Sequence, residues 1–89
     1  MRKRMTKEEK RAWYLAHTTG NRNEIEQSKR CGCVACTRTF DANDVVDYLK
    51  DRQGETAVCP RCMIDAVIGD ACGVKLTRKL LDKLNKEWF

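Results

Sequence analysis

Four of the six cysteines form two pairs in which two residues separate the partners, Cys33 with Cys36 and Cys59 with Cys62. This spacing lets both thiolates of a pair converge on one ion, and zinc takes four such sulfur ligands in a tetrahedron. The 22 residues between Cys36 and Cys59 are close to the usual separation in two-pair sites. The pattern predicts one structural Zn²⁺ per chain, bound by Cys33, Cys36, Cys59 and Cys62.

Redox chemistry is the competing interpretation of the second pair. Cys59-Pro60-Arg61-Cys62 resembles the active-site motif of glutaredoxin-like proteins. That motif normally follows a βαβ pattern, which the sequence lacks, and here a second cysteine pair accompanies it. Zinc binding is therefore favoured over dithiol chemistry.

Cys31 and Cys72 remain outside the two pairs. Either of them could replace a predicted ligand, and Cys31 is close enough along the chain to take the place of Cys33. We expect both to be free thiols.

The chain opens with charged residues and has no apolar stretch long enough for an export signal or a membrane helix. A disulfide framework, which needs an oxidising compartment, is accordingly not favoured. The sequence predicts a soluble, cytoplasmic protein with reduced thiols.

The 89 residues, 35% of them charged, predict a single domain with a small core. A chain of this size buries only roughly 60 to 65% of its unfolded surface. Structural zinc contributes roughly 10 to 16 kcal/mol of apparent binding energy, against the few kcal/mol that such a core supplies. We therefore expect the metal to decide whether the domain folds.

Residues 1–30 are predicted to form a basic helical segment and residues 73–89 an amphipathic helix. Thr6 and Glu9 form a capping-box pattern before a helix over Lys7 to His17, and a weaker pattern starts at Asn23. The first helix has a narrow apolar stripe, and the last helix begins near Thr77 with a wider one. The stripes are Ala12, Trp13, Leu15 and Ala16, and Leu76, Leu80, Leu81, Leu84 and Trp88.

Residues 31–72 are predicted to form the zinc finger. Residues 44–50 and 56–58 suggest a β-hairpin between the cysteine pairs. Pro60 suits the first position of a helix, so a short helix is predicted from the second pair, with Ile64, Val67 and Ile68 on its apolar side. The fold class is a small α+β zinc-stabilised domain, treble-clef-like or zinc-ribbon-like, with helices at both ends.

The net charge of +5 divides into +5 for residues 1–30, −3 for residues 31–72 and +3 for residues 73–89. Two basic ends permit binding to nucleic acid, most plausibly RNA, although basic helix faces are often simply solvated. The candidate nucleic-acid contacts are Arg2, Lys3, Arg4, Lys7, Lys10, Arg11, Lys75, Arg78, Lys79 and Lys83.

Two other functions stay open. A protein-interaction adaptor that acts on a host protein could use an acidic surface formed by Asp41, Asp44, Asp47 and Asp51. A nuclease would need a general base and a metal near the scissile phosphate. His17, Asp65 and Asp70 are the candidate groups, but a closed four-cysteine shell leaves zinc no open position, so a non-enzymatic protein is favoured.

A further set of motifs is spread along the chain, in residues 6–9, 12–14, 31–36, Phe40, 59–62, Ile64, Asp65, 67–70, Trp88 and Phe89. These motifs are similar to those of a family of small cytoplasmic proteins of tailed phages and bacteria, some of which are labelled modifiers of suppressor tRNAs, the cef proteins. The likeness covers nearly the whole chain. It departs at Met63, where glycine is expected, and at Cys72, where a small polar residue is expected. The resemblance implies a zinc-finger protein of phage or bacterial origin with a link to tRNA.

The order of cysteine pair, hairpin and cysteine pair at a helix start is also that of treble-clef zinc fingers. That scaffold is shared by several nucleic-acid binders and by some nucleases.

Overall fold

A computed structural model describes residues 6–89. It contains three α-helices, five β-strands and two single turns of 3₁₀-helix, Ala42–Asp44 and Asp70–Cys72. The helices are α1 (Lys7–Thr18), α2 (Arg22–Glu26) and α3 (Arg78–Trp88). The strands are β1 (Arg30–Cys33), β2 (Thr39–Asp41), β3 (Tyr48–Asp51), β4 (Gly54–Ala57) and β5 (Val67–Gly69).

The strands form two antiparallel sheets. One has the order β2-β1-β5, and in it Cys31 lies opposite both Phe40 and Gly69. The other is the β3-β4 hairpin, which confirms the hairpin predicted between the cysteine pairs. Its first strand begins at Tyr48 rather than at residue 44, because the chain closes a 3₁₀ turn in which the Val45 amide donates to the Ala42 carbonyl.

Helix α1 begins as predicted, but it packs through a different side. Thr6 and Glu9 form the complete capping box. The predicted apolar stripe is confirmed at Trp13 but wrong elsewhere, because Ala12, Leu15 and Ala16 are exposed. The side that faces the protein carries Trp13, Tyr14, His17 and Thr18 instead, since the large rings bury more apolar surface than two alanines can.

The short helix α2 is also present, with a different start. Asn21 occupies the N-cap position instead of Asn23, and its side chain bonds to other elements rather than to the helix. Ile25, the single apolar residue of this helix, is buried at 1% exposure. Ile25 supplies the apolar anchor of α2, and polar contacts of Arg22 with Glu55 and of Glu24 with His17 also hold the helix in place.

The C-terminal helix α3 is confirmed. The hydroxyl of Thr77 caps it by accepting a hydrogen bond from the Leu80 amide, and Leu81 and Leu84 are buried. A Cβ atom on Gly32 would lie 2.8 Å from a Leu81 methyl group, so the glycine allows the helix to approach β1 closely. Within residues 6–89, no helix is both long and apolar enough to cross a membrane.

The helix predicted after the second cysteine pair is wrong. Residues 60–62 form a turn, and Val67 and Ile68 lie in strand β5, where both are fully buried. Their apolar spacing fits a short helix as well as a buried strand, and pairing with β1 decides between the two. Ile64 remains exposed. The treble-clef arrangement, which needs a helix at this pair, is therefore not confirmed.

Candidate metal centre

The four predicted ligands come together at one point of the fold. The Sγ atoms of Cys33, Cys36, Cys59 and Cys62 all lie within 4.8 Å of one another. Cys33 and Cys62 are 3.6 Å apart at sulfur, and Cys36 and Cys59 are 3.8 Å apart. A tetrahedron of sulfurs around zinc at about 2.3 Å has edges of about 3.8 Å. The cluster is therefore compatible with one tetrahedrally coordinated metal ion.

The first cysteine pair lies in a tight turn at the end of β1. The Thr37 amide donates to the Cys33 carbonyl at 2.8 Å, and the Cys33 amide donates to the Arg38 carbonyl at 2.9 Å. These two bonds fold the chain back on itself over five residues. As a result, both thiols of the pair point to the same side.

The second pair repeats this turn. The Met63 amide donates to the Cys59 carbonyl at 3.0 Å, and the Cys59 amide donates to the Ile64 carbonyl at 3.0 Å. Each bond has the same sequence separation as its counterpart in the first turn. The site is therefore one backbone motif used twice, a repeat that the sequence reasoning missed.

In each turn a non-glycine residue adopts the left-handed backbone conformation. Thr37 has φ of +60° and Met63 has φ of +67°, and each directly follows the second cysteine of its pair. Glycine adopts this conformation without a steric penalty, whereas other residues pay roughly 1–2 kcal/mol. Glycine at position 63 would adopt this conformation without that penalty.

Burial and backbone amides have opposite effects on the pKa values of Cys33 and Cys59. Burial raises the pKa of Cys33 well above its usual range, although the amides of Ala35 and Cys36 act in the opposite direction. At Cys59 burial also acts to raise the pKa, but hydrogen bonds from the amides of Cys62 and Arg61 and from the thiols of Cys62 and Cys33 outweigh it, so that the pKa is lowered.

Those two amides lie 3.4 and 3.3 Å from the Cys59 sulfur. The backbone of the second turn therefore favours the thiolate of Cys59.

Cys31 and Cys72 do not belong to the cluster. Cys31 is fully buried in β1, and burial raises its pKa to about 12. Cys72 is half-buried in the 3₁₀ turn after β5, and burial raises its pKa as well. Neither thiol replaces a predicted ligand, which agrees with their expected role as free cysteines.

The candidate catalytic groups His17, Asp65 and Asp70 do not come together in one site. The Nδ1 atom of His17 lies 2.8 Å from a carboxylate oxygen of Glu24, which joins α1 to α2. Asp70 accepts a hydrogen bond from the Lys29 amide at 2.9 Å, and Asp65 is exposed. Within the described chain, no second group of three or more His, Cys, Asp and Glu side chains approaches metal-binding distance.

The candidate nucleic-acid contacts fall in three places. Arg2, Lys3 and Arg4 lie outside the described residues. Lys7, Lys10 and Arg11 lie in the first turns of α1, and Lys75 precedes α3.

On α3, Lys79 and Lys83 are exposed, and Lys86 continues the same side of the helix at i, i+4 and i+7. Arg78 lies apart from this row and pairs with Asp82 at 3.9 Å. Sequence reasoning missed Lys86, although its helical spacing from Lys79 and Lys83 was a sufficient signal. Lys79, Lys83 and Lys86 together are called the lysine row below.

The chain was compared with protein-family models, with curated proteins and with solved structures, and none of them matches it.

Proposed function

We propose that this protein is a non-enzymatic zinc-finger protein with a zinc-ribbon-like centre formed by the two cysteine turns. The observation that carries the proposal is the group of four sulfur atoms within 4.8 Å of one another. An all-sulfur tetrahedral donor set favours zinc over the hard cations, which prefer oxygen ligands. Because four protein ligands complete the shell, the ion has a structural role and no position for a reacting water.

We further propose that the finger binds RNA, in the cytoplasm of a bacterium or a phage-infected cell. The resemblance to the cef proteins, the positive ends of the sequence and the lysine row support this proposal. Lysine and arginine contacts to phosphate release counterions, so the affinity should fall steeply as salt rises. The metal would serve this function indirectly, by holding the helices that carry the charges.

Metal content is the test of the centre. Elemental analysis of protein purified without added metal should find one zinc per chain. Cys62→Ser should lose the metal, whereas Cys72→Ser, which removes a thiol outside the cluster, should keep it. Protein with no zinc and a reducible disulfide between Cys59 and Cys62 would instead establish dithiol chemistry.

RNA binding is tested separately, with fluorescently labelled tRNA and a labelled single-stranded oligonucleotide. The zinc-loaded protein should bind at least one of them, with an affinity that falls linearly on a double-logarithmic plot against salt. Absence of binding at low salt would refute the RNA function and leave the metal centre unaffected.

A protein-interaction adaptor remains the second candidate because of the acidic segment around the hairpin. Val46 and Leu49 are 76% and 51% exposed there, close in sequence to Asp44, Asp47 and Asp51. Exposed apolar side chains of this kind occur in protein contacts. Salt-tolerant capture of one protein by the wild-type chain, lost in a Val46→Ser/Leu49→Ser variant, would support this function.

A further inference from the structure

A cleft separates the start of α1 from the end of α3. Its volume is about 490 Å³, within the range of roughly 300–1,000 Å³ that is typical of ligand pockets. It is lined by Lys7, Glu8, Lys10, Arg11, Glu87 and Trp88. Three cationic side chains and one indole thus line a single opening, which we name the α1–α3 cleft.

Trp88 gives the cleft an aromatic wall. Its ring stacks on Tyr14 with centroids 5.1 Å apart and an interplanar angle of 21°, so that packing from the protein side fixes its orientation. The Nε1 atom of Trp88 is buried and has no hydrogen-bond partner among residues 6–89. Buried donors are nearly always paired in proteins, so this one is an exception within residues 6–89.

The cations of the cleft are only weakly neutralised. Lys10 pairs with Glu87 at 3.9 Å, and both side chains are partly exposed, so the ion pair contributes little. Lys7 and Arg11 form no ion pair within residues 6–89. The positive end of the α1 dipole adds to the same field. Three cations against the two carboxylates of Glu8 and Glu87 leave the lining with a net charge of +1, so the cleft favours an anion. Glu87, which already pairs with Lys10, is the carboxylate with which that anion competes most directly.

We propose that the α1–α3 cleft binds one nucleotide unit of single-stranded RNA, with phosphate held by Lys7, Lys10 and Arg11 and the base or ribose placed against Trp88. This inference rests on the proposed RNA function and locates its principal contact. Unpaired nucleotides fit better than a duplex, because only a splayed base can reach an aromatic wall. The lysine row would then contact phosphates further along the strand.

The sharpest test is a substitution that should strengthen binding. Glu87→Gln removes the competing carboxylate and should tighten binding of a labelled single-stranded RNA by about three-fold at moderate salt. Glu26→Gln is the matched control, because it makes the same change in net charge on α2, where Glu26 pairs with Arg22 at 3.2 Å. Tightening by Glu87→Gln that does not exceed that of Glu26→Gln would overturn the proposal, since net charge alone would then explain it.

The complementary test removes the cations. Lys7→Ala/Arg11→Ala should weaken RNA binding at least ten-fold, against less than three-fold for Lys50→Ala/Arg52→Ala, a pair of exposed cations in the β3-β4 hairpin. Equal losses would show that the cleft has no special part in binding.

Wild-type binding separates the two proposals. If the wild type binds no RNA, the proposed function itself fails. If it binds RNA and both sets of variants behave like their controls, only the placement in the cleft is wrong. Tight binding of an acidic peptide in the cleft, with unchanged RNA affinity in the cleft variants, would also overturn it and assign the cleft to a protein.

A fluorescence signal can report contact with the indole. In a Trp13→Phe variant Trp88 is the single tryptophan, and bound RNA should quench its emission, because bases in contact with an indole quench it. Unchanged emission at saturating RNA, with binding followed independently by anisotropy, would exclude contact with Trp88.

Discussion

Met63 and Thr37 share a backbone conformation that their side chains disfavour. Backbone hydrogen bonds in the two cysteine turns impose this conformation, since the amide of each residue must donate to the carbonyl of the first cysteine in its pair. The penalty is tolerated because both turns are needed to direct four thiols to one point. At the level of single residues, the metal centre thus contains local strain that a substitution can relieve.

Replacing Met63 by glycine should stabilise the protein. Met63 is 66% exposed, so the loss of its side chain sacrifices little apolar burial, whereas relief of the positive φ should gain about 1 kcal/mol. Denaturant unfolding of the zinc-loaded protein measures the change. Met63→Ala is the control, because it removes most of the side chain but keeps the Cβ atom, and it should leave stability nearly unchanged. Equal stabilities of the glycine and alanine variants would contradict the strain.

The six thiols should differ in reactivity. In the zinc-loaded protein, Ellman's reagent should modify Cys72 first, because this residue is half-buried and lies outside the cluster. Cys31 should react far more slowly, since it is fully buried and its pKa of about 12 leaves almost no thiolate at neutral pH.

After chelation and denaturation all six thiols should react. The Cys72→Ser variant should lose the fast phase alone. A fast phase of four or more thiols in the zinc-loaded protein would show that the paired cysteines are not metal-bound.

At the scale of elements, Asn21 joins three parts of the fold. Its Nδ2 atom donates to the carbonyls of His17 and Val67, each at 2.8 Å, and its Oδ1 atom accepts from the Ala57 amide at 3.0 Å. These bonds connect the end of α1 to β5 and β4. Because Asn21 is buried, its removal would leave backbone groups without partners.

Asn21→Ala should accordingly destabilise the protein by about 3 kcal/mol, as measured by denaturant unfolding with zinc in excess. Asn23→Ala provides the control, because Asn23 is exposed on the neighbouring helix and should change stability by less than about 0.5 kcal/mol. Similar small effects of both substitutions would show that solvent can replace the bonds of Asn21.

Elements with local signals were predictable from the sequence, and elements fixed by distant partners were not. Thr6 and Thr77 cap their helices through residues three positions away, so α1 and α3 could be located from the sequence alone. Strand β5 depends on β1, more than thirty residues earlier in the chain, and a short apolar run does not disclose such pairing. A Cβ atom on Gly69 would lie 2.2 Å from the Ser28 hydroxyl, a close contact that only the folded structure discloses.

The candidate site likewise has features that a local sequence pattern predicts and features that only the folded structure shows. The ligands were predictable because two-residue spacing is a local property that zinc itself requires. The repeated turn was hidden because Thr37 and Met63 replace the glycines that usually mark a left-handed residue. The α1–α3 cleft joins residues near opposite ends of the chain, and charge counts identified its cations without identifying the cleft.

For the whole molecule, the cysteine cluster adds a link between the two sheets to those already made by Asn21 and by the shared apolar core. Cys33 belongs to the three-stranded sheet and Cys59 follows the separate hairpin, so one ion would join the two sheets. Asn85 of α3 also donates to the carbonyls of Val34 and Ala35 beside the first pair. Loss of the metal should therefore loosen the sheets and α3 together rather than one turn alone.

Chelation should unfold the protein cooperatively. A strong zinc chelator at neutral pH should abolish the near-ultraviolet circular dichroism of Tyr14 and Trp88, which stack between α1 and α3, along with most of the helical signal. Zinc should restore both signals, whereas magnesium should not, because it prefers oxygen ligands.

The affinity for zinc should also fall as the pH is lowered. In the metal-free chain the cysteine thiols are mostly protonated at neutral pH, and zinc must displace those protons in order to bind thiolates. Acid therefore opposes zinc binding, and the stability that the metal contributes should be lost as the pH falls. A competing chelator should shift this loss to a higher pH. A metal-free chain that kept its aromatic signal and its melting temperature would show that the apolar core suffices without the ion.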